Sequence, residues 1–124
     1  TERVVHEIMP LVASHYGGSM AREKLCFGGG SFAGVCALYA AMHYNNVFGS
    51  VHAESPSFWA GAGRFLQDME AHEGGWAERV YMGVGTREYS ATRDHDNGHL
   101  DHKLLRYSDH AVAILEAKGF VCSA

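Results

Sequence analysis

The chain has 124 residues and a hydrophobic share of 47%, which suit a single domain with its own core. Its formal net charge is -4 and its 10 Lys and Arg residues are scattered, so the sequence shows no electrostatic footprint for nucleic acid or an anionic membrane. No apolar run approaches the roughly 18 residues of a membrane span, and the N-terminus has no signal-peptide pattern. We therefore expect one domain over residues 1–124 that binds neither nucleic acid nor membrane.

Helical and strand patterns alternate along the chain. Apolar residues at helical spacing predict helices over 5–16, 32–44, 65–69 and 100–115. Short apolar runs predict strands over 25–27, 47–53 and 79–84, and a fourth strand from Phe120 to Cys122. The order αβαβαβαβ predicts an α/β fold in which helices cover both faces of a parallel sheet.

The three cysteines, Cys26, Cys36 and Cys122, are an odd number in apolar settings without metal-ligand spacing. This pattern favours buried free thiols over a disulfide framework and leans weakly towards a reducing, cytoplasmic compartment.

Three loops follow the carboxyl ends of the predicted strands, where parallel sheets bind ligands. Their sequences are GGGS, ESPSFW and GTREYS. The first loop has two interpretations. As GxGxxA, formed by Gly28, Gly30 and Ala33, it is a dinucleotide-binding turn. As GxSxG with alanine in the last position, it is a nucleophile elbow that presents Ser31.

Each interpretation makes demands elsewhere in the chain. A dinucleotide turn needs an acidic residue near the end of the next strand, and Glu54 lies there. An elbow needs small flanking residues, here Gly29 and Ala33, and an acid on a later loop that orients a histidine base. Glu88 is that acid, with Asp94 as the alternative. The backbone N–H of Phe32 would then help to bind the oxyanion.

Long segments favour the elbow. AREKLCFGGGSFAGVCALYAAMHYNNVFGSVHAESPSFW, RVYMGVGTREYS and ILEAKGF resemble the esterase family of α/β-hydrolases that includes enterochelin esterases and S-formylglutathione hydrolases. The resemblance covers nearly the whole chain and implies a three-layer αβα domain. It also implies that Ser31 is the nucleophile and Glu88 the acid, and that Ser55, Phe58 and Trp59 line the acyl side of the pocket.

The resemblance has two departures. Ala33 replaces the usual glycine, and the family's catalytic histidine follows the strand that starts here at Phe120, beyond Ala124. The early strands of the family also have no counterpart. We therefore expect the middle and late part of a hydrolase domain, with the histidine supplied from outside and a complementary segment or oligomer partner covering the sheet edge.

The expected function is a serine esterase that transfers the acyl group of a small ester or thioester to water, without a metal or organic cofactor. The alternatives are a dinucleotide-binding module and a catalytically inactive hydrolase fragment. His95, His99 and His102 have helical spacing that could place them on one face as metal ligands or bring a substitute base towards Ser31. A polar loop that caps the long helix is the favoured interpretation of this segment.

Overall fold

A computed structural model of the chain describes residues 1–89 and 98–121. Within these residues the strands β1 (Cys26–Gly30), β2 (Ser50–Glu54) and β3 (Arg79–Gly83) form one sheet in the order β1-β2-β3. The helices are α1 (Met9–Tyr16), α2 (Phe32–His43), α3 (Arg64–Ala71) and α4 (His99–Ala117). A π-helical turn, Val4–Ile8, precedes α1, and short 3₁₀ helices span Arg22–Lys24 and Ala60–Gly63.

Both strand pairs are parallel and end flush. Gly30 of β1 pairs with Glu54 of β2, which pairs in turn with Gly83 of β3. The loops that follow the three strands therefore leave the sheet side by side. The parallel sheet and the α/β class that the sequence predicts are confirmed.

The hydrophobic core lies against one face of the sheet. Val51 and Ala53 of β2 are fully buried there, among side chains from α2, α3 and α4. Because strand residues alternate between faces, His52 and Glu54 point to the opposite face, and both are exposed. The described residues thus build the helical layer on one face, and His52 and Glu54 of the other face remain accessible.

The two ends of the described chain pack differently. Helix α1 ends at Gly17, whose φ of 72° suits glycine, and none of its residues is buried. At the other end, Phe120 and Val121 form no strand, although the Phe120 ring packs edge-on against Trp76 with centroids 6.0 Å apart. The rest of the expected fourth strand lies outside the described residues. No helix within the described ranges has the length and hydropathy of a membrane span.

The expectation that the cysteines are buried was wrong for the two that the structure describes. Cys26 and Cys36 are both exposed free thiols. Cys26 alternates onto the open face of the sheet, while Cys36 lies with Phe32, Tyr39 and His43 on the outer stripe of α2. The apolar residues around each cysteine did not indicate that its side chain lies on the solvent-facing side of the strand or helix. Cys122 lies outside the described residues.

Candidate functional site

Ser31 occupies the turn between β1 and α2 in a backbone conformation that L-residues rarely adopt. Its φ is 57° and its ψ is -120°, a combination that costs about 1–3 kcal/mol for a residue with a Cβ. Hydrogen bonds hold this conformation from both sides. The Ser31 N–H donates to the Glu54 carbonyl at 2.9 Å, and the Ser31 carbonyl accepts the N–H of Gly34 at 3.1 Å. The turn fixes an exposed serine at the carboxyl edge of the sheet.

Within the glycine loop, Gly29 packs most closely against its neighbours. A Cβ on Gly29 would lie 2.5 Å from the Cβ of Ala33, whereas a Cβ on Gly30 would meet nothing nearer than 3.7 Å. The most closely packed glycine therefore belongs to the GxSxG pattern, while Gly28 of the GxGxxA pattern is less tight, with a Cβ that would lie 3.2 Å from the His52 carbonyl oxygen. Glu54, the acid of the dinucleotide interpretation, lies 2.6 Å from the Nε2 of His52 and covers Gly83. The closest packing of the loop thus fits the elbow interpretation better than the dinucleotide one.

The segment that follows β2 packs directly against Ser31. The hydroxyl of Ser57 lies 2.8 Å from that of Ser31. The backbone N–H of Ser57 also donates to the Ser31 carbonyl at 3.1 Å. Sequence reasoning placed Ser55, Phe58 and Trp59 at the site and did not single out Ser57. A serine within the apolar sequence PSFW was the signal that could have identified it.

Glu88, on the loop after β3, accepts hydrogen bonds from two donors. Its Oε1 accepts the backbone N–H of Gly85 at 2.6 Å and the hydroxyl of Ser55. Ser55 has a positive φ of 43°, and its N–H donates to the Gly83 carbonyl at 2.7 Å. The structure thus brings Ser55, expected to line a substrate pocket, onto the carboxylate of Glu88.

The buried Asp101 anchors the same loop to α4. Its Oδ1 accepts the N–H of Tyr89, next to Glu88, at 2.8 Å. Asp101 lies in the first turn of α4, where a negative charge also interacts favourably with the helix dipole. The Glu88 loop is therefore tied both to the end of β2 and to a helix.

Ser31 and Glu88 follow strands that are two positions apart in the sheet, which separates the strand ends by roughly 10 Å. Within residues 1–89 and 98–121, the side-chain hydrogen bonds of Ser31 and Glu88 involve no histidine. His52 bonds Glu54 on the open face of the sheet instead. The alternative acid, Asp94, and His95 lie outside the described residues.

The aromatic residues near Ser31 divide between surface and core. The Phe32 and Trp59 side chains are 58% and 39% exposed, and their ring centroids lie 5.8 Å apart. Phe58 is 0% exposed and stacks on Phe65. Phe58, which was expected to line the substrate pocket, therefore has its ring among the core side chains.

The histidines of α4 do not form a metal centre with other described side chains. Across the described part of the chain, no three His, Cys, Asp or Glu side chains are grouped as metal ligands would be. His99 and His102 instead lie beside Lys103 and Arg106 on one side of the helix. Their basic neighbours make this an unfavourable place for a cation.

The parallel sheet, its helices and the flush strand ends define an α/β-hydrolase-like fold. The model of the family described as "Putative esterase" matches residues 1–112. The chain therefore belongs to this esterase family.

Solved structures and a curated relative agree with this assignment. Over 92 residues the chain is 32% identical to the iron(III) enterobactin esterase of Escherichia coli (strain K12), an alignment that covers 68% of this chain and 23% of that protein. It is 26% identical to the enterobactin esterase of Shigella flexneri in the presence of 2,3-di-hydroxy-N-benzoyl-glycine, with a TM-score of 0.73 and coverage of 92% and 28% of the two chains. The structure of the Shigella enzyme with enterobactin gives 27% identity, a TM-score of 0.72 and coverage of 90% and 27%. The chain thus spans about a quarter of the length of these relatives.

Proposed function

We propose that the protein is a serine esterase in which Ser31 is the nucleophile. The observation that carries the proposal is the strained conformation of Ser31 at φ 57° and ψ -120°, between a strand and a helix. A sharp strand-to-helix turn of this kind raises a serine hydroxyl above the end of the sheet in α/β-hydrolases. Family membership and the close packing of Gly29 on Ala33 support the same role.

The proposed reaction has two acyl-transfer steps. The Ser31 Oγ attacks the carbonyl carbon of the ester while its proton passes to a histidine, which returns a proton to the departing alcohol. Water then attacks the acyl-serine, releases the carboxylic acid and restores the hydroxyl. A thioester would follow the same steps with a thiol as the leaving group.

The backbone N–H of Phe32 is the proposed oxyanion donor. Phe32 is the first residue of α2, and the first N–H groups of a helix have no partner within that helix. They also carry the partial positive charge of the helix dipole. A carbonyl oxygen that becomes negative beside Ser31 would therefore be stabilised at this position.

Glu88 is the proposed acid that orients the histidine. Gly85 and Ser55 both donate to Oε1, so Oε2 is the oxygen proposed to accept the imidazole N–H. An acid in this position fixes the ring and stabilises the imidazolium that forms when the ring accepts a proton. The span of roughly 10 Å between the strand ends leaves room for an imidazole between Glu88 and Ser31.

The exposed rings of Phe32 and Trp59 suggest the substrate class. Paired aromatic surfaces beside a reacting serine favour a planar, apolar group on the acyl side of the ester. A crystal structure of the Shigella relative was determined in the presence of 2,3-di-hydroxy-N-benzoyl-serine, a compound with a planar aromatic ring. We propose that this protein likewise acts on an aryl-bearing ester.

A fluorophosphonate probe tests the nucleophile, because it reacts covalently with activated serines. In a protein that contains the expected histidine, we expect stoichiometric labelling, with the adduct on the peptide that contains Ser31. Ser31→Ala should abolish labelling, while Ser19→Ala, a change at an exposed serine outside the site, should leave it unchanged. Labelling that persists in Ser31→Ala would show that another residue is the nucleophile.

A further inference from the structure

Ser57 contacts Ser31 through both its backbone and its side chain. The N–H of Ser57 donates to the Ser31 carbonyl at 3.1 Å, and the two hydroxyl oxygens lie 2.8 Å apart. The second distance is that of a well-formed O–H···O hydrogen bond. The two serines thus form one unit across the ends of β1 and β2.

Burial indicates the direction of the hydroxyl hydrogen bond. Ser57 is only 2% exposed, and among the described residues its hydroxyl bonds Ser31 alone. A buried O–H without an acceptor costs about 1–3 kcal/mol, so Ser57 gains most by donating to Ser31. Ser31 is exposed, and its own proton can point to solvent or to a base.

We propose that Ser57 is a positioning residue that donates its hydrogen bond to the Oγ of Ser31. The donation fixes the side-chain rotamer of Ser31 and directs its proton outwards, away from the core. As that proton leaves, charge grows on the Ser31 oxygen, and the bond from Ser57 strengthens because hydrogen bonds to charged oxygens are stronger. This inference rests on the proposed role of Ser31 as nucleophile.

A thiol at position 31 reports on this donor without requiring a histidine or a substrate. Ser31→Cys is introduced into a protein in which Cys26, Cys36 and Cys122 are replaced by alanine. The pKa of the introduced thiol is then read from the pH dependence of its alkylation by iodoacetamide. If Ser57 donates to this position, Ser57→Ala should raise the thiol pKa by about one unit, because a donor to the thiolate is lost.

Ser108→Ala is the matched control. Ser108 is also 2% exposed, but it lies in the middle of α4, and its hydroxyl has no hydrogen-bond partner among the described residues. Its truncation should leave the thiol pKa unchanged. Should Ser57→Ala fail to fold, the Ser57→Thr and Ser57→Val variants provide the same comparison, since both add a similar volume and only the first keeps the hydroxyl. The thiol pKa should then be higher in the valine variant.

The fluorophosphonate rate supplies the second measurement. With Ser31 intact, we expect Ser57→Ala to slow labelling about tenfold, which corresponds to one hydrogen bond to a developing charge. A thiol pKa that is unchanged or lowered in Ser57→Ala would overturn the inference. A parent protein that contains the expected histidine and is still not labelled by the probe would overturn the proposed function instead, so the two failures are distinguishable.

Discussion

Gly29 and Ala33 pack so closely that a Cβ on Gly29 would lie 2.5 Å from the Ala33 Cβ and 2.7 Å from the Ala33 carbonyl carbon. The two residues flank Ser31 by two positions on either side. Two of the three nearest atoms belong to the Ala33 backbone rather than to its methyl group. A methyl at position 33 is therefore tolerated as long as position 29 has no side chain.

This contact predicts that Gly29→Ala destabilises the protein, while Gly30→Ala does not. The first change forces the strand and the first turn of α2 apart, which should lower the free energy of unfolding by about 2–3 kcal/mol. The second places its methyl 3.7 Å from the Glu54 carbonyl oxygen, an ordinary contact, and should stay within about 1 kcal/mol of the parent. Urea unfolding monitored by tryptophan fluorescence measures both changes. Equal losses would show that the loop is not packed in this way.

The positive φ of Ser31 predicts a second pair of variants. Ser31→Gly and Ser31→Ala both remove the hydroxyl and its bond to Ser57, but only glycine adopts φ 57° and ψ -120° without strain. After allowance for the greater unfolded-state entropy of glycine, Ser31→Gly should be more stable than Ser31→Ala by about 1 kcal/mol. The difference is read from urea midpoints at matched slopes. If Ser31→Gly were less stable than Ser31→Ala, the backbone at position 31 would not be strained.

The α/β fold could be predicted from the sequence because glycines and apolar runs mark its elements clearly. The start of β2 was displaced: the strand expected from Val47 begins at Ser50. The N–H groups of Val47 and Phe48 both donate to the Tyr44 carbonyl at 3.0 Å, in a turn that follows α2. These apolar residues therefore pack a turn against the core and do not belong to a strand.

The sequence predicted those features of the site that follow from the positions of the strand ends. It did not predict the contacts that depend on unusual backbone torsions. Ser31 and Glu88 follow parallel strands, so their placement at one edge follows from the element order. The interactions of Ser55 and Ser57 depend on the turn at Ser55, where φ is 43°. A positive φ at a residue other than glycine has no reliable sequence signature. The contact of each serine with its partner therefore emerged only from the structure.

The bond from Ser55 to Glu88 predicts a coupled effect on ester hydrolysis. Ser55→Ala removes one donor to Oε1 and should lower kcat about tenfold with little change in KM, because the carboxylate is less well fixed. Glu88→Gln should lower kcat by about 100-fold or more if it orients the histidine. In the Glu88→Gln background, Ser55→Ala should have less than about a twofold further effect. Losses that multiply in the double variant would show that Ser55 acts apart from Glu88.

The exposed pair of Phe32 and Trp59 predicts a selective loss of aryl substrates. Trp59→Ala removes one of the two rings and about 0.5–1.5 kcal/mol of aromatic contact, so kcat/KM for a benzoyl ester should fall up to roughly tenfold. The acetyl ester of the same alcohol should be hydrolysed at nearly the parental rate, since it has no ring to lose. Trp59→Phe should keep most of the preference for the benzoyl ester.

Tyr39→Ala is the control, because it truncates an exposed aromatic residue on the outer stripe of α2, and it should change the hydrolysis of neither ester. Equal losses for the benzoyl and acetyl esters in Trp59→Ala would place the role of Trp59 in the structure of the loop rather than in substrate contact.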